Sequence, residues 1–393
     1  MAITRDTVGT GRDFERIVIR YNVGDAKGNN ANPFNLDDIV AVSDSENWDI
    51  PFYKIGNTYF SDYEIYITGV NTYFKIDKKR LIWSNTNIAG QYNLYGRGAN
   101  CQFTNSEFVN ERSDTTRFNI NLATNNIFDN NTVKGFFYAE IQTNTTNCVF
   151  QDSVYPYILG YEYKNNLYKN IINGLWLRGS PTKFENNIAR DCTIALFLDM
   201  YLISDVGATL KDLALERGTY DLYLRLADRS QPEATFELEN INVDLTKKNI
   251  TRVSTATMNI KINQRLSVIS DAGTAKLYDK DDNLVEQITL NGTTNFTPVT
   301  CLHNVIESEG TTIVRDEIIN HQPFKIIVER EGYETQPFTN LYFTENDHKG
   351  SRDNAIIRID WKKQIEVMAS NKGVVIKANP KNYGKNRDFV IIP

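Results

Sequence analysis

Between Asn100 and Asp212 one short phrase recurs: an aromatic residue or leucine, any residue, then asparagine or aspartate. It reads Phe103-x-Asn105, Phe128-x-Asn130, Phe150-x-Asp152, Tyr168-x-Asn170, Phe184-x-Asn186 and Leu210-x-Asp212. The anchors fall about 16 to 26 residues apart, about 22 on average, which is the period of a solenoid coil. A seventh anchor, Phe236-x-Leu238, keeps the aromatic and loses the amide, and Trp83 and Phe60 extend the spacing upstream without it. Asparagine makes up 45 of the 393 residues, so the phrase also dominates the composition.

A second register runs beside the first. Phe118/Ile120/Leu122, Phe137/Ala139/Ile141, Leu175/Leu177, Ile194/Leu196/Leu198 and Leu222/Leu224 alternate with period two, which specifies strand rather than helix. Two or three short strands per coil, each stacked on its counterpart, predict a parallel β-helix; leucine-rich and helical repeats lack their own phrases here. Coils stack about 4.8 Å apart, so amides at one corner can hydrogen-bond along the stack, and asparagine tolerates the left-handed backbone of a tight corner. The predicted structural ladder is therefore Asn105, Asn130, Asp152, Asn170, Asn186 and Asp212, with the aromatic anchors forming a column inside. On this reading Cys101 and Cys148 lie two coils apart, about 10 Å, too far for a disulfide. All four cysteines (Cys101, Cys148, Cys192, Cys301) read as small buried hydrophobes.

Past about Lys248 the asparagine phrase stops and alternating strands separated by turn residues take over, a β-sandwich pattern. The domain reading is an N-terminal cap or attachment segment over 1–55, a parallel β-helix over 56–248, a sandwich over 249–362 and a docking tail over 363–393. Lys276-Leu277-Tyr278-Asp279 with the turn Lys280 to Asn283, then Phe324 to Val328 and the turn Glu331-Gly332-Tyr333-Glu334, resembles transthyretin-like or carboxypeptidase-regulatory-like modules. The resemblance covers about 80 residues and implies an immunoglobulin-like sandwich that stiffens or decorates a larger protein without being catalytic.

The remaining features narrow the chemistry. With 43 Lys plus Arg against 49 Asp plus Glu, net −6 and no long block of one sign, no polyphosphate-binding surface is expected, so nucleic acid is not an expected partner. The longest apolar stretch, Thr193 to Ile203, is far short of the roughly 20 residues of a membrane helix and contains Asp199, so no membrane insertion is expected. The start of the sequence lacks the layout of a secretory signal, which implies synthesis in the cytoplasm. The three histidines, His303, His321 and His348, have no partner at metal-ligand or triad spacing, and Gly9-x-Gly11 lacks the third glycine of a dinucleotide site. No cofactor is expected. The sequons at Asn130, Asn144, Asn249 and Asn291 read as products of an Asn- and Thr-rich chain.

Three groups deserve weighing as sites. Glu140, Asp152, Glu185, Asp191 and Asp199 lie on neighbouring coils, and a pair of them on one outer face could serve polysaccharide cleavage; read blandly, they are solvated corners and ladder members. No spacing selects a pair, so no catalytic residue is named. Tyr155, Tyr157, Tyr161 and Tyr163 alternate as if outward-facing, suited to stacking on sugar rings or to a subunit interface. Asp279 to Asp282 with Asn283 offers oxygen ligands for calcium but lacks the EF-hand glycine and distal glutamate, and reads as a hairpin turn.

The succession of a leaderless N-terminal segment, an Asn-rich β-helix, a small sandwich and a docking tail, with the phrases NNIFDNN, NNLYKN and KFENNIARD, resembles fibre and spike proteins of tailed bacteriophages. The resemblance implies a right-handed helix and a homotrimer on the virion, in contact with other virion proteins and with host surface glycan. The expected function is a structural virion component for assembly and host adsorption. The alternatives are a polysaccharide-degrading tailspike and a bacterial surface adhesin.

Overall fold

The structure, a computed structural model, describes residues 2–7, 15–48, 52–61, 63–84, 94–111, 119–122, 126–200, 207–226, 233–251, 253–331, 333, 335–360, 364–366, 369–370 and 373–375. The fold is all-β, with 58% of residues in strands: a parallel β-solenoid of about seven turns followed by a small β-sandwich. Two compact units divide the chain, one comprising 1–198 with 215–223 and the other 199–214 with 224–393. The second unit thus begins inside the stretch in which the asparagine phrase still runs.

In the first unit each coil contributes one strand to each of three parallel sheets. Sheet A includes Leu94–Arg97, Asn119–Leu122, Tyr138–Ile141, Tyr155–Ile158 and Leu175–Leu177; sheet B includes Asn100–Thr104, Ile127–Asp129, Thr145–Thr146, Glu162–Lys164 and Lys183–Glu185; sheet C includes Glu107–Asn110, Thr132–Lys134, Val149–Gln151, Leu167–Lys169 and Asn187–Arg190. Registers are unbroken from coil to coil, with Phe103 beside Phe128 on sheet B and Val133, Phe150 and Tyr168 in line on sheet C. Because strand side chains alternate, every second residue of a strand is forced inward. Phe103, Phe108, Phe128, Phe150, Tyr163, Tyr168 and Phe184 fill the interior and are all buried.

The anchors predicted as one column are two. Phe103, Phe128 and Phe184 line sheet B, while Phe150 and Tyr168 line sheet C. A coil has tight corners at the ends of both sheets, and each demands the same phrase, so the sequence interleaved two periods. Past sheet B the chain turns through Lys78, Asn105, Asn130, Asn147, Asn165 and Asn186, with φ between 53° and 56°; past sheet C it turns through Gly135, Asp152, Asn170, Asp191 and Arg217, also at positive φ. Left-handed backbone disfavours most side chains by about 1–2 kcal/mol, and glycine, asparagine and aspartate least.

The N-terminal residues extend and close this body. Ile3–Thr7 and Glu15–Ile19 pair antiparallel, and the second of these runs parallel to Glu64–Thr68 at the start of sheet A. Helix Leu36–Ser45 starts at Asn35, whose Oδ1 accepts N–H bonds from Asp37 (2.8 Å) and Asp38 (3.3 Å), while Asp38 accepts the Asn35 N–H (2.8 Å). This reciprocal cap satisfies donors that a helix end otherwise leaves unpaired, and two aspartates in its first turn complement the helix dipole. The helix buries Leu36 and Ile39, and Phe34 is tied to the first coil through Phe34 N–H to Tyr73 O (2.9 Å) and Lys75 N–H to Phe34 O (2.7 Å).

In the second unit Gly207–Lys211, Glu233–Glu239 and Ala256–Gln264 are parallel, after which Val299–Glu309 and Thr312–Asn320 join the same sheet antiparallel. Asp212 and Asn240 occupy its corner at positive φ, and Asn240 Nδ2 donates to Asp212 Oδ1 (3.0 Å). The seventh phrase is therefore Leu238-x-Asn240, with its amide intact, rather than Phe236-x-Leu238. Arg265 ends this stack: its N–H donates to Asn240 Oδ1 (3.2 Å) and its guanidinium binds Asp212 (3.1 Å) and Glu239. The sandwich buries Leu266, Val268 and Ile357 from one sheet and Ala275, Leu277, Ile326 and Val328 from the other. Gln364–Glu366 and Gly373–Val375 pair with Ala355–Asp360, and residues 376–393 of the tail lie outside the described residues.

Candidate functional site

The corners and the outer face of sheet A carry most of the distinctive chemistry. At the sheet B corner the exposed amides form a chain: Asn105 Nδ2 donates to Asp77 Oδ1 (2.8 Å), Asn130 to Asn105 (2.9 Å), Asn165 to Asn147 (3.0 Å) and Asn186 to Asn165 (3.2 Å), while Asn147 donates to Asp129 (2.9 Å). The Asp77 carboxyl at its foot is held below its ordinary range by the bonds from Asn105 and then Thr104. At the sheet C corner Asn170 Nδ2 donates to Asp152 Oδ1 (3.0 Å).

Sequence reasoning missed a second, inner set. In Asn130-Asn131, Asn165-Asn166 and Asn186-Asn187 the first amide is outside and the second is buried. Asn131 Oδ1 accepts the Ser106 N–H (3.0 Å) and its Nδ2 donates to Phe103 O (2.7 Å); Asn166 does the same for Cys148 N–H (2.9 Å) and Thr145 O (2.9 Å); Asn187 for Asn166 N–H (3.0 Å) and Tyr163 O (3.0 Å). Each buried amide clips backbone groups that the turn frees from the sheet and that would otherwise be buried unpaired. The Asn-Asn dipeptide was the available signal.

The outer face of sheet A is aromatic where it could have been polar. Tyr138 lies beside Tyr155, and Tyr157, Trp176 and Phe197 follow one another across three strands. Ring centroids are 5.5 Å apart for Tyr138–Tyr155, 5.3 Å for Tyr155–Trp176, 5.0 Å for Tyr157–Trp176 and Trp176–Phe197, and 5.0 Å for Phe197–Tyr223. The Arg178 guanidinium lies 5.0 Å from the Tyr157 ring and 5.5 Å from Trp176, and Gln142 Nε2 donates to Glu140 Oε1 (2.5 Å) beside them. Trp176 and Phe197 are buried; Tyr138, Tyr155 and Tyr223 are half-buried around them. Each such pair contributes about 0.5–1.5 kcal/mol beyond its burial. Burial pushes the Tyr157 hydroxyl well above its usual range, which suits it to packing and hydrogen bonding rather than to proton transfer.

This arrangement corrects the tyrosine reading. Tyr155 and Tyr157 do belong to the outer face of sheet A, Tyr157 nearly buried there. The chain then turns, and Glu162–Lys164 is a strand of sheet B. Tyr163 points inward with 1% exposure, its hydroxyl accepting the Leu159 N–H (3.0 Å), and Tyr161 is half-buried in the turn. Alternation within one strand was assumed where two strands meet. Trp176 and Phe197 were legible as outward, each lying between two inward leucines.

The five carboxylates are dispersed. Glu140 is on sheet A, Glu185 on sheet B between Lys183 (3.2 Å) and Lys164 (3.7 Å), and Asp152 and Asp191 at the sheet C corner two coils apart, Asp191 bound by Arg217 (3.1 Å). Asp199 is wholly buried and held by Arg225 through two bonds (2.6 and 2.5 Å). In the hairpin at Asp279, that carboxylate accepts the N–H groups of Asp281 (2.9 Å) and Asn283 (2.8 Å), and Asp282 pairs with Lys325 (2.5 Å). Among the described residues no three His, Cys, Asp or Glu side chains gather as a metal would require. Gly9 and Gly11 lie outside the described residues.

The cysteines are buried and unbridged, and burial pushes the thiols of Cys148 and Cys192 up to about 12 and about 11. Cys101 lies within a sheet B strand and Cys148 at the following corner two coils on, so their separation does not rest on a shared column. On the sandwich, a concavity of about 610 Å³ is lined by Asp279, Glu286, Thr297, Thr300, His321 and Phe324. Burial, then Lys280 and Lys261, lower the His321 pKa.

Comparison with family models, curated proteins and solved structures finds no match for this chain.

Proposed function

We propose that the chain is a structural and adsorption protein of the tailed-bacteriophage fibre or spike type, working as a homotrimer on the virion and touching other virion proteins and host surface glycan. The observation that carries this reading is the pairing of a stiffened solenoid with an aromatic outer face. Seven turns rise about 35 Å with corner amides hydrogen-bonded to the neighbouring coils, a construction that resists bending. The half-buried tyrosines with Arg178 and Glu140 offer ring faces and polar edges together, which is the chemistry of both sugar stacking and protein interfaces. The dispersal of Glu140, Asp152, Glu185, Asp191 and Asp199 favours binding over cleavage.

The test is the mass of the full-length protein by light scattering across a hundredfold concentration range, followed by adsorption of the protein to candidate host cells. A trimer that coats cells and blocks phage attachment is expected. A monomer at every concentration would sink the fibre reading.

A further inference from the structure

Lys248, Asn304 and Asp316 meet inside the second unit in an arrangement that neither the solenoid nor the sandwich requires. Lys248 opens strand Lys248–Thr251, Asn304 lies within Val299–Glu309 and Asp316 within Thr312–Asn320. Asp316 is directly opposite Ile306, which places it diagonally beside Asn304 on the same face of the sheet. Lys248 Nζ is 2.8 Å from Asn304 Oδ1 and 2.5 Å from Asp316 Oδ1. Asn304 Nδ2 donates to that same Asp316 oxygen (2.9 Å) and to Glu317 O (3.0 Å). Asn304 is wholly buried, and the Lys248 side chain is 11% exposed.

An ion pair alone would not need the carboxamide held between its members. Here an amine, a carboxamide and a carboxylate, suited to act as nucleophile, electrophile and proton carrier, are all hydrogen-bonded to one another. We propose that Lys248 and Asn304 join in an intramolecular isopeptide bond, with Asp316 moving the protons.

Asp316 Oδ1 takes a proton from Lys248 Nζ, and the neutral amine adds to Asn304 Cγ, forming the new C–N bond and placing charge on Oδ1. Asp316 passes its proton to Nδ2 and takes the excess proton from the attacking nitrogen. The Cγ–Nδ2 bond breaks, the carbonyl reforms, and ammonia departs as ammonium with the proton Asp316 still carries, restoring the carboxylate. The lysine ammonium and the carboxamide thus become a secondary amide and ammonium. No oxidant or outside reactant enters. The positioning required is present: the leaving nitrogen is bonded to the oxygen that accepts the lysine proton, and Glu317 O fixes its orientation.

The experiment is intact-mass spectrometry of the unfolded full-length protein, then tryptic peptide sequencing. The wild type is expected to be about 17 Da lighter than its sequence, the mass of one ammonia. Trypsin should fail at Lys248 and release a branched peptide joining residues 248–252 to 281–315. Lys248→Met and Asp316→Asn should each restore the full mass and two separate peptides. A wild-type chain at its full sequence mass overturns the proposal, as does a deficit that persists in Lys248→Met. The decisive reading is made on the wild type, so it does not depend on either variant folding.

Discussion

Two adjacent asparagines with opposite duties give the sharpest test of how the coils are held. Asn165 is exposed, has φ of 56°, donates to Asn147 and accepts from Asn186. Asn166 lies outside that left-handed set, is 1% exposed, and clips Cys148 N–H and Thr145 O. Asn165→Ala loses two solvated amide bonds, worth a few tenths of a kcal/mol each, and pays the left-handed penalty of about 1 kcal/mol, for a total of about 1–2 kcal/mol. Asn166→Ala leaves a buried donor and a buried acceptor unpaired, each costing about 1–3 kcal/mol, for a total of about 2–6 kcal/mol. Glycine separates the mechanisms. At Asn165 it removes the backbone penalty and should be milder than alanine; at Asn166 it adds chain entropy and should be worse. Guanidinium unfolding followed by tryptophan fluorescence, with midpoints compared at constant slope, reads all four variants. Equal losses at the two positions, or glycine worse than alanine at Asn165, would refute the division between outer ladder and inner clip.

Four further outcomes are expected. Tyr168 is fully enclosed and its hydroxyl has no hydrogen-bond partner among the described residues, so Tyr168→Phe should raise stability by about 1 kcal/mol, read as a higher unfolding midpoint. Gly135 has φ of 77° and an added Cβ would meet Asn110 O at 2.4 Å, so Gly135→Ala should destabilise by at least about 2 kcal/mol in the same assay. Arg225→Met leaves the Asp199 carboxylate buried without its bidentate partner and should cost about 3–5 kcal/mol in chemical denaturation. The Asp77 carboxyl is depressed by its bonds to Asn105 and Thr104, so its contribution is present above the ordinary aspartate value and lost as pH falls through the lower folded value. In a stability–pH titration from 6 towards about 2, Asp77→Asn should therefore flatten the acid limb.

Much of this was legible because a solenoid writes its geometry into the sequence at every turn. Corner backbone at positive φ restricts the residue types, so Asn105, Asn130, Asp152, Asn170, Asn186 and Asp212 could be picked out by spacing alone, and all six have left-handed φ. What spacing could not assign was the corner: sheets B and C end in the same phrase, and only pairing registers distinguish them. Thr145-x-Asn147 escaped notice because its inward residue is a threonine, which no hydrophobic pattern selects. Tyr163 was misplaced because a period-two run continues across a turn without a break in composition. The Lys248, Asn304 and Asp316 cluster was beyond reach, since Asn304 and Asp316 are 56 and 68 residues from Lys248; antiparallel pairing sets those two side by side, and Lys248 reaches them from a strand outside that sheet.

The change of strand direction in the second unit has a consequence for solubility. A stack of parallel coils is a template: its last strand presents an in-register edge onto which another chain could add, as in fibril growth. After Ala256–Gln264 that edge is occupied by Val299–Glu309 running the opposite way, and the outermost strand, Thr312–Asn320, carries Arg315, Asp316 and Glu317 in a row. Reversed polarity and three consecutive charged side chains make the terminal strand a poor seed, so a stack that could template further strands is arrested on this sheet.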